Sequence, residues 1–159
     1  PLYSSAASDV YKRQAQAEYF GNPSAVLGRL AASEPRAKAG LRLTLRTGAE
    51  LPFNSLALDE LPLYLNGNDE QPFRLYEQLL GNVCAVFARA PGGDWVERLP
   101  PDALRSRGFD DRDAALPVVP QAFQGYRLLQ EYFALPNRFL FVEFAQLGRA
   151  VQRLSLIHI

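Results

Sequence analysis

The residues of this sequence that could act as nucleophiles or bases are few and far apart. Nucleophilic catalysis needs an activated Ser, Cys or Lys beside a base, and histidine is the most common base. The chain has one cysteine, Cys84, and one histidine, His158. Cys84 lies within an apolar run, which predicts a small core side chain in the middle of a strand. One cysteine cannot form an internal disulfide, and no CxxC or Cys/His cluster is present to bind zinc, so we predict no catalytic residue.

Two polar stretches have the residue types that bind a hard cation. Residues 110–113 read DDRD, but they lack the regular ligand spacing and the glycine of a calcium loop, and Arg112 lies among the carboxylates. Residues 66–70 read NGNDE, which a turn followed by a helix explains, with Asn68 or Asp69 as the helix cap. We therefore predict a solvated loop at the first stretch, and no metal or cofactor at either.

The composition is that of an ordinary soluble globular protein. Hydrophobic residues make up 48% of the chain and charged residues 21%, with 17 basic and 17 acidic side chains. No basic stripe indicates nucleic acid binding, and no apolar run is long enough to cross a membrane. Nucleic acid and direct membrane insertion are therefore not predicted.

The other elements are organised around the stretch Gly125–Phe144. The apolar residues of its first half recur at helical spacing: Tyr126, Leu129, Tyr132 and Phe133. This spacing predicts a helix with one buried stripe. Pro136 must end the helix at or before Leu135, and the dense apolar run Arg138–Phe144 that follows is predicted to be a buried strand.

Similar patterns predict the remaining elements. A second helix is indicated by the stripe Phe73, Tyr76, Leu79 and Leu80, and Gly81-Asn82 would end it. Alternating apolar residues predict strands at Leu41–Thr47, with Leu41, Leu43 and Leu45 on a buried face and Thr44 on an exposed one, and at Leu61–Leu65. Further strands are predicted at Val83–Ala88, Trp95–Leu99 and Ala103–Phe109. We expect Trp95–Leu99 to pair with Val83–Ala88 as a hairpin. The prediction is an α+β fold, mainly antiparallel β-sheet, with two amphipathic helices.

The two helical stretches also resemble each other. Phe73–Gln78 aligns with Tyr126–Glu131, which places Arg74 over Arg127, and an apolar strand follows each stretch. One hypothesis is a degenerate helix–strand repeat over residues 60–89 and 113–144. The alternative is that two amphipathic helices share a common pattern.

The aromatic residues of Gly125–Phe144 are the best candidates for contact with a partner. At these spacings aromatic side chains belong more often to a core than to a binding surface. However, the predicted strand is apolar on both faces, so one of its two covering layers is expected to come from another domain or subunit. The candidate packing residues are Tyr126, Arg127, Tyr132, Phe139, Phe141 and Phe144. Arg74 and Arg127 are interpreted by default as surface arginines.

Two stretches resemble a known family. The run FQGYRLLQEYFALPNRFLFVEF, preceded by GFDDRDAALPVVP, and the earlier run LYLNGNDEQPFRLYEQLLGNV are similar to signatures of the TssF family, also called VasA or ImpG, in the same order. The resemblance implies a structural baseplate subunit of the bacterial type VI secretion system without known enzymatic activity. Family members are several times longer than this chain, which implies an internal fragment of a multidomain protein.

The resemblance also implies partners and a location. TssF proteins associate with TssG as wedges around a central spike, and connect to TssK, the sheath and the membrane complex. The implied location is the cytoplasm of a Gram-negative bacterium, in a baseplate docked at the inner membrane. Two other functions stay open: a wedge protein of a phage-tail-like baseplate, and an enzyme whose catalytic residues lie outside this sequence.

The two ends of the chain read as the two strands of one DNA string. Asp9–Gln14 is DVYKRQ and Leu154–Ile159 is LSLIHI. The codons GAT GTG TAT AAG AGA CAG encode the first, and their reverse complement encodes the second. The string resembles a transposon end used to prepare sequencing libraries. We therefore predict that residues 1–14 and 154–159 are non-native and that 15–153 is natural sequence.

Overall fold

The computed structural model describes residues 12–22, 33–47, 54, 56–68, 70–90, 95–117 and 123–152. Most of the two predicted non-native ends, and Asp69, lie outside these ranges. The chain divides into two compact units. The first contains residues 1–59, 84–101 and 146–159, and the second contains residues 60–83 and 102–145.

Two antiparallel strand pairs belong to the first unit. Strand β1 (Lys12–Phe20) pairs with β2 (Gly40–Thr47), the strand predicted from alternation. Leu43 and Leu45 are buried, as predicted, but Thr44, on the face predicted to be exposed, is buried too. The unit also contains a short helix, Gly148–Gln152, in which Ala150 and Val151 are buried.

The second pair corrects the prediction for Val83–Ala88. Strand β4 covers only Phe87–Arg89, and it pairs with β5 (Val96–Arg98) in the predicted hairpin. Val83 and Cys84 precede the strand and are exposed, so the prediction that Cys84 is a core residue is wrong. Two prolines follow β5 one residue later and lack an N–H to donate, which limits how far the pairing can extend.

The second unit contains a three-stranded antiparallel sheet. Strand β7 (Phe141–Phe144) lies between β3 (Leu61–Tyr64) and β6 (Leu104–Arg107). A core on one face of this sheet centres on Leu65, Leu140 and Val142. The partly buried residues packed against it are Leu63, Leu75, Tyr76, Leu79 and Leu104. These strand assignments, with the helices below, confirm the predicted α+β class.

Helix α1 (Gln71–Gly81) covers that core, although its buried face differs from the prediction. Phe73 and Leu80 are exposed, while Leu75 takes part in the packing. The predicted cap is also wrong: Glu70 is the N-cap and makes no side-chain cap hydrogen bond, while Asn68 contributes only its carbonyl, 3.2 Å from Gln71 N. Burial raises the pKa of the Tyr76 hydroxyl, against the opposing effect of its hydrogen bond with Ser106.

Helix α2 (Gln124–Ala134) ends before Pro136, as predicted. A 3-10 turn (Pro136–Phe139) then leads into β7, so the predicted strand Arg138–Phe144 begins three residues later than expected. A proline at the start of the turn supplies the fixed φ that suits a helical first position. Helices α1 and α2 have the same length, 11 residues. The repeat itself stays a prediction.

Candidate interaction surface

Helix α2 has its apolar stripe on the outside. Tyr126 is 66% exposed, Leu129 55% and Phe133 81%, and Tyr132 is exposed too. The prediction that this stripe is buried is therefore wrong. We call the outward side chains the α2 ridge: Phe123, Tyr126, Leu129, Tyr132 and Phe133.

The opposite side of α2 carries two buried charges. Arg127 is 6% exposed and Glu131 2%, one helical turn apart. The interpretation of Arg127 as a surface residue is wrong. Its Nη1 lies 3.3 Å from Glu131 Oε1, and its Nη2 lies 2.8 Å from Asp111 Oδ1. Asp111 stands in a 3-10 turn, Asp111–Asp113, so the pair attaches the helix to that turn.

The surroundings of Glu131 favour the ionised form of its carboxyl group. Its Oε1 accepts hydrogen bonds from the backbone N–H groups of Ala115 and Leu116, at 3.0 and 2.9 Å, and its Oε2 forms an ion pair with Arg138. Burial alone raises the pKa of a carboxyl, but these donors and cations outweigh it and hold the pKa of Glu131 below 4.5. A buried carboxylate with this many donors is a structural anchor rather than a proton acceptor.

Strand β7 contributes a second buried carboxylate. Glu143 is 1% exposed and pairs in register with Arg105 on β6. Its Oε1 lies 2.7 Å from Arg105 Nε, and its Oε2 lies 2.8 Å from Arg107 Nη1. The hydrogen bond to Glu143 raises the pKa of the Arg105 guanidinium, which also reaches Glu60 at 2.7 Å. The guanidinium of Arg105 therefore bridges the carboxylates of Glu143 and Glu60.

Asp113 connects the two buried carboxylates. Its Oδ1 lies 3.1 Å from Arg107 Nε, and its backbone carbonyl accepts a hydrogen bond from Arg138. Its Oδ2 accepts the N–H of Gly108, 3.0 Å away, where the backbone has a φ of 104° that favours glycine. The prediction of a solvated loop at residues 110–113 holds for Asp110 and Asp111, which are exposed, but not for Asp113.

We call this set the ion network. Its arginines are Arg105, Arg107, Arg127 and Arg138. Its carboxylates are Glu60, Asp111, Asp113, Glu131 and Glu143. All nine lie in the second unit. The network fixes α2 and the turn before it against β6 and β7.

The predicted packing residues do not form one surface. Tyr126 and Tyr132 are exposed on the ridge, but Phe139 and Phe144 are buried and Phe141 is half-buried. Phe139 packs inside the unit, with ring centroids 5.0 Å from Phe109 and 5.8 Å from Tyr132. The structure thus brings only the two tyrosines together on the outside.

The ion network was not found from the sequence, although signals for it exist. Glu143 is the one charged residue in the run Phe139–Phe144, and a charge inside an apolar strand is rarely buried without a partner. Arg105 and Arg107 are two residues apart and therefore share one face of β6, and Arg127 and Glu131 are one helical turn apart. These spacings identify candidates, but the pairs that join different elements, such as Arg105 with Glu143, are distant in sequence.

Within the described residues, no group of three or more His, Cys, Asp or Glu side chains is placed to hold a metal ion. The described helices include none that is both long and apolar enough to cross a membrane. The arrangement is suited to binding another protein surface, because the ion pairs of the ion network hold the exposed aromatic side chains of the α2 ridge in place.

Comparisons with known proteins agree with one another. The profile of the family described as "Type VI secretion system, TssF" matches residues 14–158. The type VI secretion system component TssF1 of Pseudomonas aeruginosa PAO1 is 78% identical over 139 residues, which are 87% of this chain and 22% of that protein. A chain in a cryo-electron microscopy structure of the TssK-TssF-TssG baseplate subcomplex aligns with a TM-score of 0.62 and 27% identity, over 73% of this chain and 22% of that one. This chain therefore spans about a fifth of the length of each relative.

Proposed function

Because this chain belongs to the TssF family of the type VI secretion system, we propose that it is part of a structural subunit of the secretion baseplate. The observation that carries the proposal is the 78% identity to TssF1 over 139 residues. At this identity the fold and the interaction surfaces of a segment are expected to be shared.

The proposed partners are the other baseplate subunits. The solved relative is part of a subcomplex with TssK and TssG, which supports a TssG-like and a TssK-like partner for the protein that contains this segment. We also propose contacts with spike and sheath components, and self-association in the wedge. The proposed location is the cytoplasmic side of the inner membrane of a Gram-negative bacterium.

The proposed role is structural rather than enzymatic. Both buried carboxylates, Glu131 and Glu143, are fully engaged with arginines, and the pKa of Glu131 lies below its usual value. A general acid or base needs the opposite, a pKa near the working pH and a free position for the substrate. The buried charges therefore support a role in holding shape.

A segment exchange tests the proposed function. The matching 139-residue segment of Pseudomonas aeruginosa TssF1 is replaced by that of this chain, which gives a full-length chimera. We expect the chimera to co-purify with TssK and TssG, and to restore sheath assembly and secretion in a strain lacking TssF1. A chimera that accumulates at the normal level but binds neither subunit and restores nothing would contradict the proposal.

A further inference from the structure

We propose that helix α2 opens separately from the rest of the second unit, and that Glu131 controls how often it opens. In the closed state, the buried side of α2 contacts the 3-10 turn Asp111–Asp113 and residues 115–116, as the structure shows. In the open state these contacts and the helical hydrogen bonds are broken, while α1 and the three-stranded sheet stay folded. The inference concerns the folding of this chain itself and does not depend on the proposed function.

The contacts that hold α2 are mostly ionic. Among the described side chains of the helix, only Arg127 and Glu131 are buried. Leu128 is half-buried, and the ring of Tyr132 contacts Phe139 although Tyr132 itself is exposed. Opening of α2 therefore exposes little additional apolar surface to water, and the burial of apolar surface is the main force that keeps an element folded.

Helix α1 provides the contrast. Its side chains Leu75, Tyr76 and Leu79 pack against the core of the sheet. Release of α1 would expose this core to water, so we expect α1 to open only when the sheet unfolds. Elements with few buried apolar contacts open at a lower free energy than the core elements of the same protein. The two helices have the same length, so they differ in what each of them buries.

Opening of α2 returns its buried charges to water. Arg127 leaves Asp111, which lies 2.8 Å from its Nη2. Glu131 leaves Arg138 and the N–H groups of residues 115–116. Water then hydrates both side chains of the helix, which recovers the desolvation cost that burial had imposed. The ionic contacts therefore hold α2 less firmly than apolar packing of the same extent would.

The closed state depends most on Glu131. It is 2% exposed, and its two oxygens accept two backbone N–H groups and contact the guanidinium groups of Arg127 and Arg138. Glutamine at this position has nearly the same shape but no charge, so both guanidinium groups would lose their shared carboxylate. Loss of one partner of a buried ion pair costs more than the intact pair contributes. In the open state water solvates either side chain, so the substitution favours opening.

Native-state hydrogen exchange of this chain, followed residue by residue by NMR, tests the inference. A free helix of 11 residues is unstable in water, so the amides of α2 exchange whenever the helix leaves its site. We expect residues 128–135 of α2 to be at least about 30-fold less protected than residues 75–82 of α1. Urea should speed exchange steeply in α1 and only weakly in α2, because opening of α2 alone exposes little surface.

Three variants separate the opening of α2 from unfolding of the whole unit. Glu131→Gln should speed exchange in α2 at least about tenfold. Its matched control is Glu77→Gln, the same substitution at an exposed position of α1, with an expected change below about twofold. Leu79→Ala weakens packing that is present in both the closed and the open state. It should therefore speed exchange in α1 at least about fivefold and change exchange in α2 less than about twofold.

A single opening event for the whole unit would overturn the inference. In that case the two helices would be equally protected, and Leu79→Ala would speed exchange in both by the same factor. Protection that is absent from both helices would also overturn it, because α1 and the sheet would then not stay folded. If Glu131→Gln leaves exchange in α2 unchanged, Glu131 does not control the opening.

Discussion

At the level of single residues, the second unit depends on buried carboxylates that have arginine partners. Glu143 lies in the central strand, between the guanidinium groups of Arg105 and Arg107. Burying a charge is costly unless it is paired and hydrogen-bonded. Removing one partner therefore leaves the others uncompensated, which costs more than the pair contributes when intact.

We predict that Glu143→Ala lowers the free energy of unfolding by about 2–3 kcal/mol. A broken buried ion pair usually costs about 3–5 kcal/mol, and the partial exposure of Arg105 lets water recover some of that loss. The control is Arg74→Ala, which removes an exposed pair with Glu70 and should change stability by less than about 0.5 kcal/mol. Urea unfolding measures both, and equal effects would contradict the ion network's role.

Glu131 gives a prediction about pH. The pKa of Glu131 is lower in the folded chain than in the unfolded chain, so the unfolded chain binds the proton more tightly. The ionised side chain therefore stabilises the fold at pH values above the usual pKa of 4.5. That contribution is lost as the pH falls below this value and through the folded-state pKa. In urea unfolding from pH 7 to pH 3, we expect Glu131→Gln to be less stable than wild type at pH 7. The difference should shrink below pH 4.5, and a constant difference would show that ionisation of Glu131 is not involved.

At the level of elements, the sequence predicted where the helices lie better than which side of them is buried. Pro136 ends α2 as expected because its constraint is local. Periodicity divides a helix into two sides, and hydrophobicity normally decides which one faces inward. In α2 that choice is reversed by partners outside the helix: Asp111 before it, and Arg138 after its end. The spacing of single charges shows which residues are candidates but not which partners they meet, so the buried side of α2 was predicted wrongly.

Strand lengths were predicted less well for a related reason. The hydrophobic run Val83–Ala88 suggested a buried strand, but a strand continues only as far as its partner can hydrogen-bond. Only Phe87–Arg89 has a paired neighbour in β5. Burial of Cys84 was inferred from the run itself, whereas the exposure of that residue depends on what the rest of the chain places beside it.

The same substitution in the two helices tests which face each of them buries. Leu79→Ala removes a side chain packed against the core of the sheet and should cost about 1–3 kcal/mol. Leu129→Ala shortens an exposed ridge side chain and should cost less than about 0.5 kcal/mol. Both leucines lie in helices of 11 residues, so helix propensity changes equally. Thermal unfolding of the two variants measures the difference, and a larger loss for Leu129→Ala would restore the buried stripe predicted from the sequence.

At the level of the whole molecule, charge and apolar surface are distributed unevenly. The chain has equal numbers of acidic and basic residues, and nine of them form the ion network in the second unit. The two charged residues of α2, Arg127 and Glu131, both belong to this network, so the outer side of the helix carries no charge. An uncovered apolar patch of this kind usually marks an interaction site, or a site of aggregation when its partner is absent.

We therefore predict that the isolated chain binds a hydrophobic fluorescent dye through the α2 ridge. Leu129→Gln with Phe133→Gln should reduce the dye fluorescence while the melting temperature stays the same, because both side chains are exposed in the folded chain. Phe73→Gln with Leu80→Gln should reduce it less, since those two residues are less exposed. Each variant replaces one Phe and one Leu by amides on a helix of 11 residues, so a difference between them reports the ridge itself. Equal fluorescence from wild type and the α2 variant would place the dye-binding surface elsewhere in the chain.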